Sequence, residues 1–107
     1  MGKVVQLPLS KAAALRLLRD TAADDSRVNI VAAMHEGPWR HVIDYRQIML
    51  CLREGSVVQN PVVDELGNTV FALERFSAGG TVKVTAVLVR APGTQKSVVV
   101  TEFSVEE

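Results

Sequence analysis

The residues of this 107-residue chain that are best suited to chemistry gather in one short segment. That segment holds both histidines, the only tryptophan and the only tyrosine, beside an acid and an arginine: His35, Glu36, Trp39, Arg40, His41 and Tyr45. Side chains that exchange protons beside aromatic rings can bind or cleave RNA. If the chain is an enzyme, its candidate catalytic residues are His35, Arg40, His41 and Tyr45. The favoured interpretation is a structured loop around Gly37-Pro38, in which Trp39 seals the edge of the core and the polar groups are solvated.

Other chemistries find little support in the sequence. A zinc site needs three or four convergent ligands, and the two histidines and single cysteine have no motif spacing, so no metal is predicted. Cys51 shares an apolar helix face with Ile48 and Leu52, which favours a buried, inert thiol over a Cys–His nucleophile. Gly79-Gly80 lacks the lysine and hydroxyl partners of a phosphate-binding loop. No cofactor is predicted.

The charge balance bears on partners. Twelve basic residues match twelve acidic ones, so the formal net charge is zero. Nucleic-acid-binding domains normally carry a strongly basic stripe, so a nucleic-acid partner is disfavoured, and a protein partner or a homo-oligomer is the alternative. No apolar run approaches the roughly 18 residues that cross a bilayer, and the N-terminus lacks the apolar core of a signal peptide. With one cysteine, the chain is expected in the cytoplasm, away from membranes.

Two helices are indicated by their ends. Ser10 is a good N-cap for a helix from Lys11 to about Ala23. Asp44 and Gln47 have the spacing of a capping box and predict that a second helix starts there, with Ile43 and Ile48 as a hydrophobic staple. Gly55 is expected in the left-handed conformation that ends this helix. Residues 28–35 fit either a short strand or a helix, which Gly37-Pro38 would end.

The second half of the chain is rich in valine, with 13 of the 18 valines after residue 55. Four strands are predicted, at residues 56–59, 68–76, 81–89 and 97–103, joined by short turns at residues 64–68, 77–80 and 91–95. Short turns favour antiparallel pairing of consecutive strands. The predicted fold is α+β, with two or three N-terminal helices packed on a three- to four-stranded antiparallel β-meander, in a single domain spanning residues 1–107.

Several short motifs between residues 28 and 103 resemble the signature of a small bacterial domain family of unknown function. The matching segments lie at helix ends, turns and strand ends: residues 40–48 (RHVIDYRQI), 51–55 (CLREG), 59–61 (QNP), 64–68 (DELGN), 73–75 (LER), 78–79 (AG) and 99–101 (VVT). The resemblance divides the chain into an N-terminal helix at 1–27, a family-like core at 28–103 and a tail at 104–107.

The family is similar in size and layout to ribonuclease toxins of the plasmid-stabilisation type, in which helices precede an antiparallel sheet. By analogy of fold, the resemblance implies RNA cleavage. Members of the family usually carry a histidine and an arginine where this chain has Ala33 and His41. The resemblance therefore implies a lost or remodelled function, and an uncharacterised, non-catalytic domain that acts through a protein partner is the leading expectation. A ribonuclease-like enzyme is the alternative.

Overall fold

The first helix, α1, spans Lys11–Ala22 in a computed structural model that describes residues 10–34, 37–77, 79–90 and 95–106. The Ser10 hydroxyl accepts a hydrogen bond of 3.1 Å from the Ala13 amide, which confirms the predicted N-cap. The buried face of α1 carries Ala14, Leu18 and Ala22. A short 3-10 helix follows at Asp25–Arg27. Its N-cap is Asp24, whose carboxylate accepts a hydrogen bond from the Ser26 amide.

The second helix, α2, spans Pro38–Glu54, so the predicted start at Asp44 is wrong. Gly37 has φ of 100°, and Pro38 occupies the first helical position. Proline suits that position because its missing amide hydrogen would lack a partner there and its φ is already helical. Gly37-Pro38 therefore begins a helix instead of ending one. Asp44 lies inside α2 and is buried, and Ile43 is 46% exposed, so neither the capping box nor the staple forms at these positions.

Gly55 follows α2 with φ of −69°, which is not the left-handed conformation expected from the sequence. Glycine is required there for space. A Cβ atom at this position would lie 3.0 Å from the Cys51 Sγ and 3.1 Å from the Glu74 carbonyl oxygen. Gly55 thus allows the end of α2 to lie against the sheet.

The sheet in the described part of the chain has six strands and mixed pairing, where three or four antiparallel strands were predicted. The strands are β1 (Val28–Ile30), β2 (Ser56–Val57), β3 (Val62–Val63), β4 (Thr69–Ser77), β5 (Gly80–Val89) and β6 (Ser97–Glu106). The order is β1-β6-β5-β4-β2, and β3 also pairs with β4. Consecutive antiparallel pairing of β4, β5 and β6 agrees with the prediction. β1 instead runs parallel to β6, with Val28 opposite Val98.

One face of the sheet is covered by the two helices. The buried core residues from β4, β5 and β6 alternate along each strand and pack with Leu18, Ile48, Cys51 and Leu52: Phe71, Leu73, Val82, Val84, Ala86, Leu88, Val98 and Val100. A bulge interrupts β6, because Ala86 pairs with Val100 whereas Thr85 pairs with Glu102. Thr101 is the extra residue, and beyond it Phe103 and Val105 face the core. The predicted turn at residues 91–95 falls largely outside the described residues.

Candidate functional site

Three of the four candidate catalytic residues lie near the start of α2. Arg40, His41 and Tyr45 are all exposed, and His41 and Tyr45 are four residues apart, on the same side of the helix. At 1.5 Å of rise per residue, Arg40 and Tyr45 are separated by about 7.5 Å along the helix axis. His35 and Glu36 lie outside the described residues. The described members of the predicted cluster, Trp39, Arg40, His41 and Tyr45, are therefore carried by the first turns of a helix instead of a loop.

Trp39 does not seal the core. Its side chain is 81% exposed, and Val42 and Ile43 beside it are 60% and 46% exposed. The three residues have i, i+3, i+4 spacing, so they form one continuous apolar face of α2, called here the Trp39 face. The buried stripe of α2 begins only at Asp44 and Ile48, which leaves the start of the helix outside the core.

Along residues 39–47, the exposed charges around the Trp39 face have one sign. Arg40 and Arg46 are exposed beside it, and residues 39–47 contain a single acid, Asp44. Asp44 is 2% exposed and interacts with another group of the protein, so its carboxylate presents no negative charge at the surface. The described surface at the start of α2 is thus apolar and cationic, although the whole chain is neutral. Sequence reasoning missed this face, whose signal was the helical spacing of Trp39, Val42 and Ile43.

The sheet face opposite the helices forms a second surface. Four valines lie in one row across four neighbouring strands, because Val62 pairs with Val70, Val70 with Val87, and Val87 with Val99. Next to this row is a groove of about 430 Å³, with Glu74, Lys83 and Glu102 in its lining. The Lys83 Nζ lies 3.0 Å from the Glu106 Oε1, so a carboxylate compensates the only lysine in the lining.

Cys51 is unsuited to nucleophilic chemistry. Its side chain is fully buried, and its Sγ lies 3.9 Å from the Val82 carbonyl oxygen. Burial raises the pKa of the thiol to about 11, because the charged thiolate loses its hydration; nearby Arg75 opposes this rise and Glu74 adds to it. The predicted role of Cys51 in core packing is confirmed.

The part of the chain that the structure describes contains neither a cluster of metal ligands nor a membrane-spanning helix. No group of three or more His, Cys, Asp or Glu side chains is arranged there to hold a metal ion. Neither described helix combines the length and the apolar character needed to span a membrane.

Comparison with known proteins finds no relative of this chain. No protein-family model matches the chain, and no curated protein or solved structure matches it. The resemblance of residues 28–103 to a small bacterial domain family therefore stays a prediction.

Proposed function

We propose that this chain is a non-catalytic binding domain that acts through a protein partner, and that the partner binds the Trp39 face. The exposure of Trp39 supports this proposal most directly. A tryptophan that is 81% exposed leaves a large apolar area in water. Contiguous exposed apolar patches often mark interaction sites, and tryptophan is enriched among the residues that dominate binding energy at interfaces.

The chemistry of the Trp39 face defines the partner. Trp39, Val42 and Ile43 require apolar anchors, and Arg40 and Arg46 favour acidic groups around those anchors. An amphipathic segment with apolar and acidic side chains has this composition. A phosphate backbone would satisfy the arginines but would leave Val42 and Ile43 exposed, so the surface fits a protein better than a nucleic acid.

The test compares the proteins that the immobilised chain retains from an extract of its source cells. We expect the wild-type chain to retain a partner that Trp39→Ala loses, because truncating an interface tryptophan that dominates binding costs about 2 kcal/mol or more. Leu66→Ala is the control, since Leu66 is 84% exposed and belongs to the turn between β3 and β4 instead of α2. The control should retain the same partner as the wild type, and thermal unfolding should show both variants folded.

Tryptophan fluorescence supplies a second measurement, because Trp39 is the only tryptophan. We expect a blue shift of its emission when a retained partner is added in excess, since the indole moves from water to an apolar environment. Equal retention by the wild type and Trp39→Ala contradicts the proposal. Unchanged emission at saturating partner contradicts it as well.

A ribonuclease-like activity is the second candidate function. The observation in its favour is that Arg40, His41 and Tyr45 share one exposed helix end. A cation, an imidazole and a phenol at such an end could contact a phosphodiester. An RNA-cleavage assay of the wild-type chain beside His35→Ala and His41→Ala decides between this candidate and the binding domain.

A further inference from the structure

In the part of the chain that the structure describes, the outer edge of β6 has no strand partner beyond Val100. β1 pairs with β6 only from Val98 to Val100, and the Val31 and Ala32 amides both donate to the Val100 carbonyl oxygen, at 2.9 and 3.0 Å. Within the described residues, no strand pairs with this edge from Thr101 onward. Backbone donors and acceptors on an open edge are a template for another strand.

A groove runs beside this open edge. It has a volume of about 390 Å³ and is lined by Ala33, Met34, Phe103, Ser104 and Val105. Met34, Phe103 and Val105 pack against the core and are only partly buried. The edge therefore offers backbone hydrogen bonding together with an apolar groove on the core side of the sheet.

We propose that this edge pairs with the same edge of a second copy of the chain. The two β6 strands run antiparallel about a two-fold axis, with Phe103 opposite Phe103, and the two sheets become one continuous sheet. The new ladder covers residues 101–105 of each copy, because β1 occupies the edge at Val100 and before. This interface is formed by β6 and not by α2, and it does not depend on the proposed function.

Charge selects this register among the alternatives. With Phe103 opposite Phe103, Glu102 of each copy faces the Ser104 hydroxyl of the other. A shift by two residues in one direction places Glu102 opposite Glu102, and a shift in the other direction places Glu102 opposite Glu106. Like charges directly opposite each other destabilise a strand pair. Shifts by one residue pair core-facing Phe103 with outward-facing residues, which breaks the continuity of the two faces.

Apolar contacts favour the same arrangement. Phe103 faces the core side of the sheet, where the groove lined by Ala33 and Met34 lies. Pairing places the Phe103 ring of the second copy against this groove and against the first Phe103. Aromatic pairs and contacts between methionine sulfur and aromatic rings both stabilise such a cluster.

The test uses opposite charge changes at Ser104. Ser104→Lys places a cation opposite Glu102 of the second copy, and Ser104→Glu places an anion there. Within one copy, Ser104 lies opposite Lys83 on β5 and between Glu102 and Glu106 along β6, so each change meets charges of both signs there. We expect Ser104→Lys to tighten the dimer and Ser104→Glu to weaken it. Thermal unfolding of the two variants separates this interface effect from a change in folding stability.

The measurement is sedimentation velocity up to about 1 mM chain, where even a weak specific dimer is populated. Two new cross-strand pairs per dimer should change the dissociation constant by about 2- to 30-fold in each direction. Gln59→Lys and Gln59→Glu are the controls, because Gln59 is exposed between β2 and β3 and the charge changes are the same. The controls should leave the dissociation constant unchanged.

Three results would overturn the proposal. If the wild-type chain stays monomeric up to the highest concentration, the edge of β6 does not pair with a second copy, and a strand from another protein would be its partner instead. A dimer that both Ser104 changes shift in the same direction has a different register or interface. A dimer that Trp39→Ala disrupts and the Ser104 changes do not affect is formed through α2 instead.

Discussion

Single residues in this protein are constrained most tightly where α2 meets the sheet. Cys51 and Gly55 lie one helical turn apart, and the Gly55 amide donates to the Cys51 carbonyl oxygen at 2.8 Å. Cys51 fills space in the core, whereas Gly55 must leave space free. Each residue therefore has a measurable consequence that does not depend on the function of the protein.

The Cys51 thiol should react slowly and should link stability to alkaline pH. A thiol-reactive dye at pH 8 should label the native chain far more slowly than the urea-unfolded chain, because Cys51 is buried. The folded pKa is about 11 and the ordinary value is 9.0. Between these values the unfolded chain loses a proton that the folded chain keeps, so the free energy of unfolding should fall as pH rises.

Urea unfolding at pH 8 and pH 10.5, compared with Cys51→Ala, isolates this effect from other titrating groups. The alanine variant is less stable overall but should lack the part of the pH dependence that the thiol contributes. Rapid stoichiometric labelling of folded protein would show that the thiol is accessible.

Gly55→Ala should destabilise the fold by about 1–3 kcal/mol, because the new methyl group forces the Cys51 and Glu74 backbones apart. Gly79→Ala is the matched control, since a Cβ there meets no atom within 4 Å. Urea denaturation measures both changes in the free energy of unfolding. Equal stability of the two variants would mean that α2 can move away from the sheet at little cost.

At the scale of elements, the two helices cap each other through arginines. The Arg19 guanidinium on α1 donates to the Gly55 carbonyl oxygen at the end of α2, at 2.8 Å. The Arg53 Nε on α2 donates to the Ala22 carbonyl oxygen at the end of α1, at 3.2 Å, and Arg53 also pairs with Asp25. Carbonyl groups at the end of a helix lack partners within it, and cations there interact well with the helix dipole.

Arg53→Met should therefore lower the free energy of unfolding by about 1–2 kcal/mol, because it removes a charge-assisted bond to a helix end. Arg46→Met is the control on the same helix, at an exposed position. If both variants were equally stable, the contact between the helix ends would have no energetic role.

At the scale of the whole molecule, the neutral charge argues against RNA as a substrate. We predict that the purified chain does not cleave total RNA at low salt, where binding to a phosphate backbone is strongest. His35→Ala and His41→Ala are tested beside it, because loss of a general acid or base typically slows a reaction by about 100- to 10,000-fold. Cleavage by the wild-type chain that disappears in either variant would make the ribonuclease the leading function.

Local sequence patterns correctly predicted α1, the burial of Cys51 and the antiparallel pairing of β4, β5 and β6. Each depends on residues that are close in the chain. The Ser10 cap acts within one helical turn, and the alternating valines of β5 reflect the pleat of a strand. The start of α2 is also a local feature, since Pro38 suits the first turn of a helix, but the Asp44–Gln47 spacing indicated a later start.

The tertiary structure alone decided which distant segments meet. The parallel pairing of β1 with β6 joins residues about 70 positions apart, and a three-residue strand has too little alternation to be recognised in sequence. The bulge at Thr101 depends on the register with β5, because no residue in β6 requires it alone. The exposure of Trp39 likewise depends on where the core ends. Elements with strong local periodicity could thus be predicted from the sequence, whereas the edges of the sheet and both proposed binding surfaces depend on long-range packing.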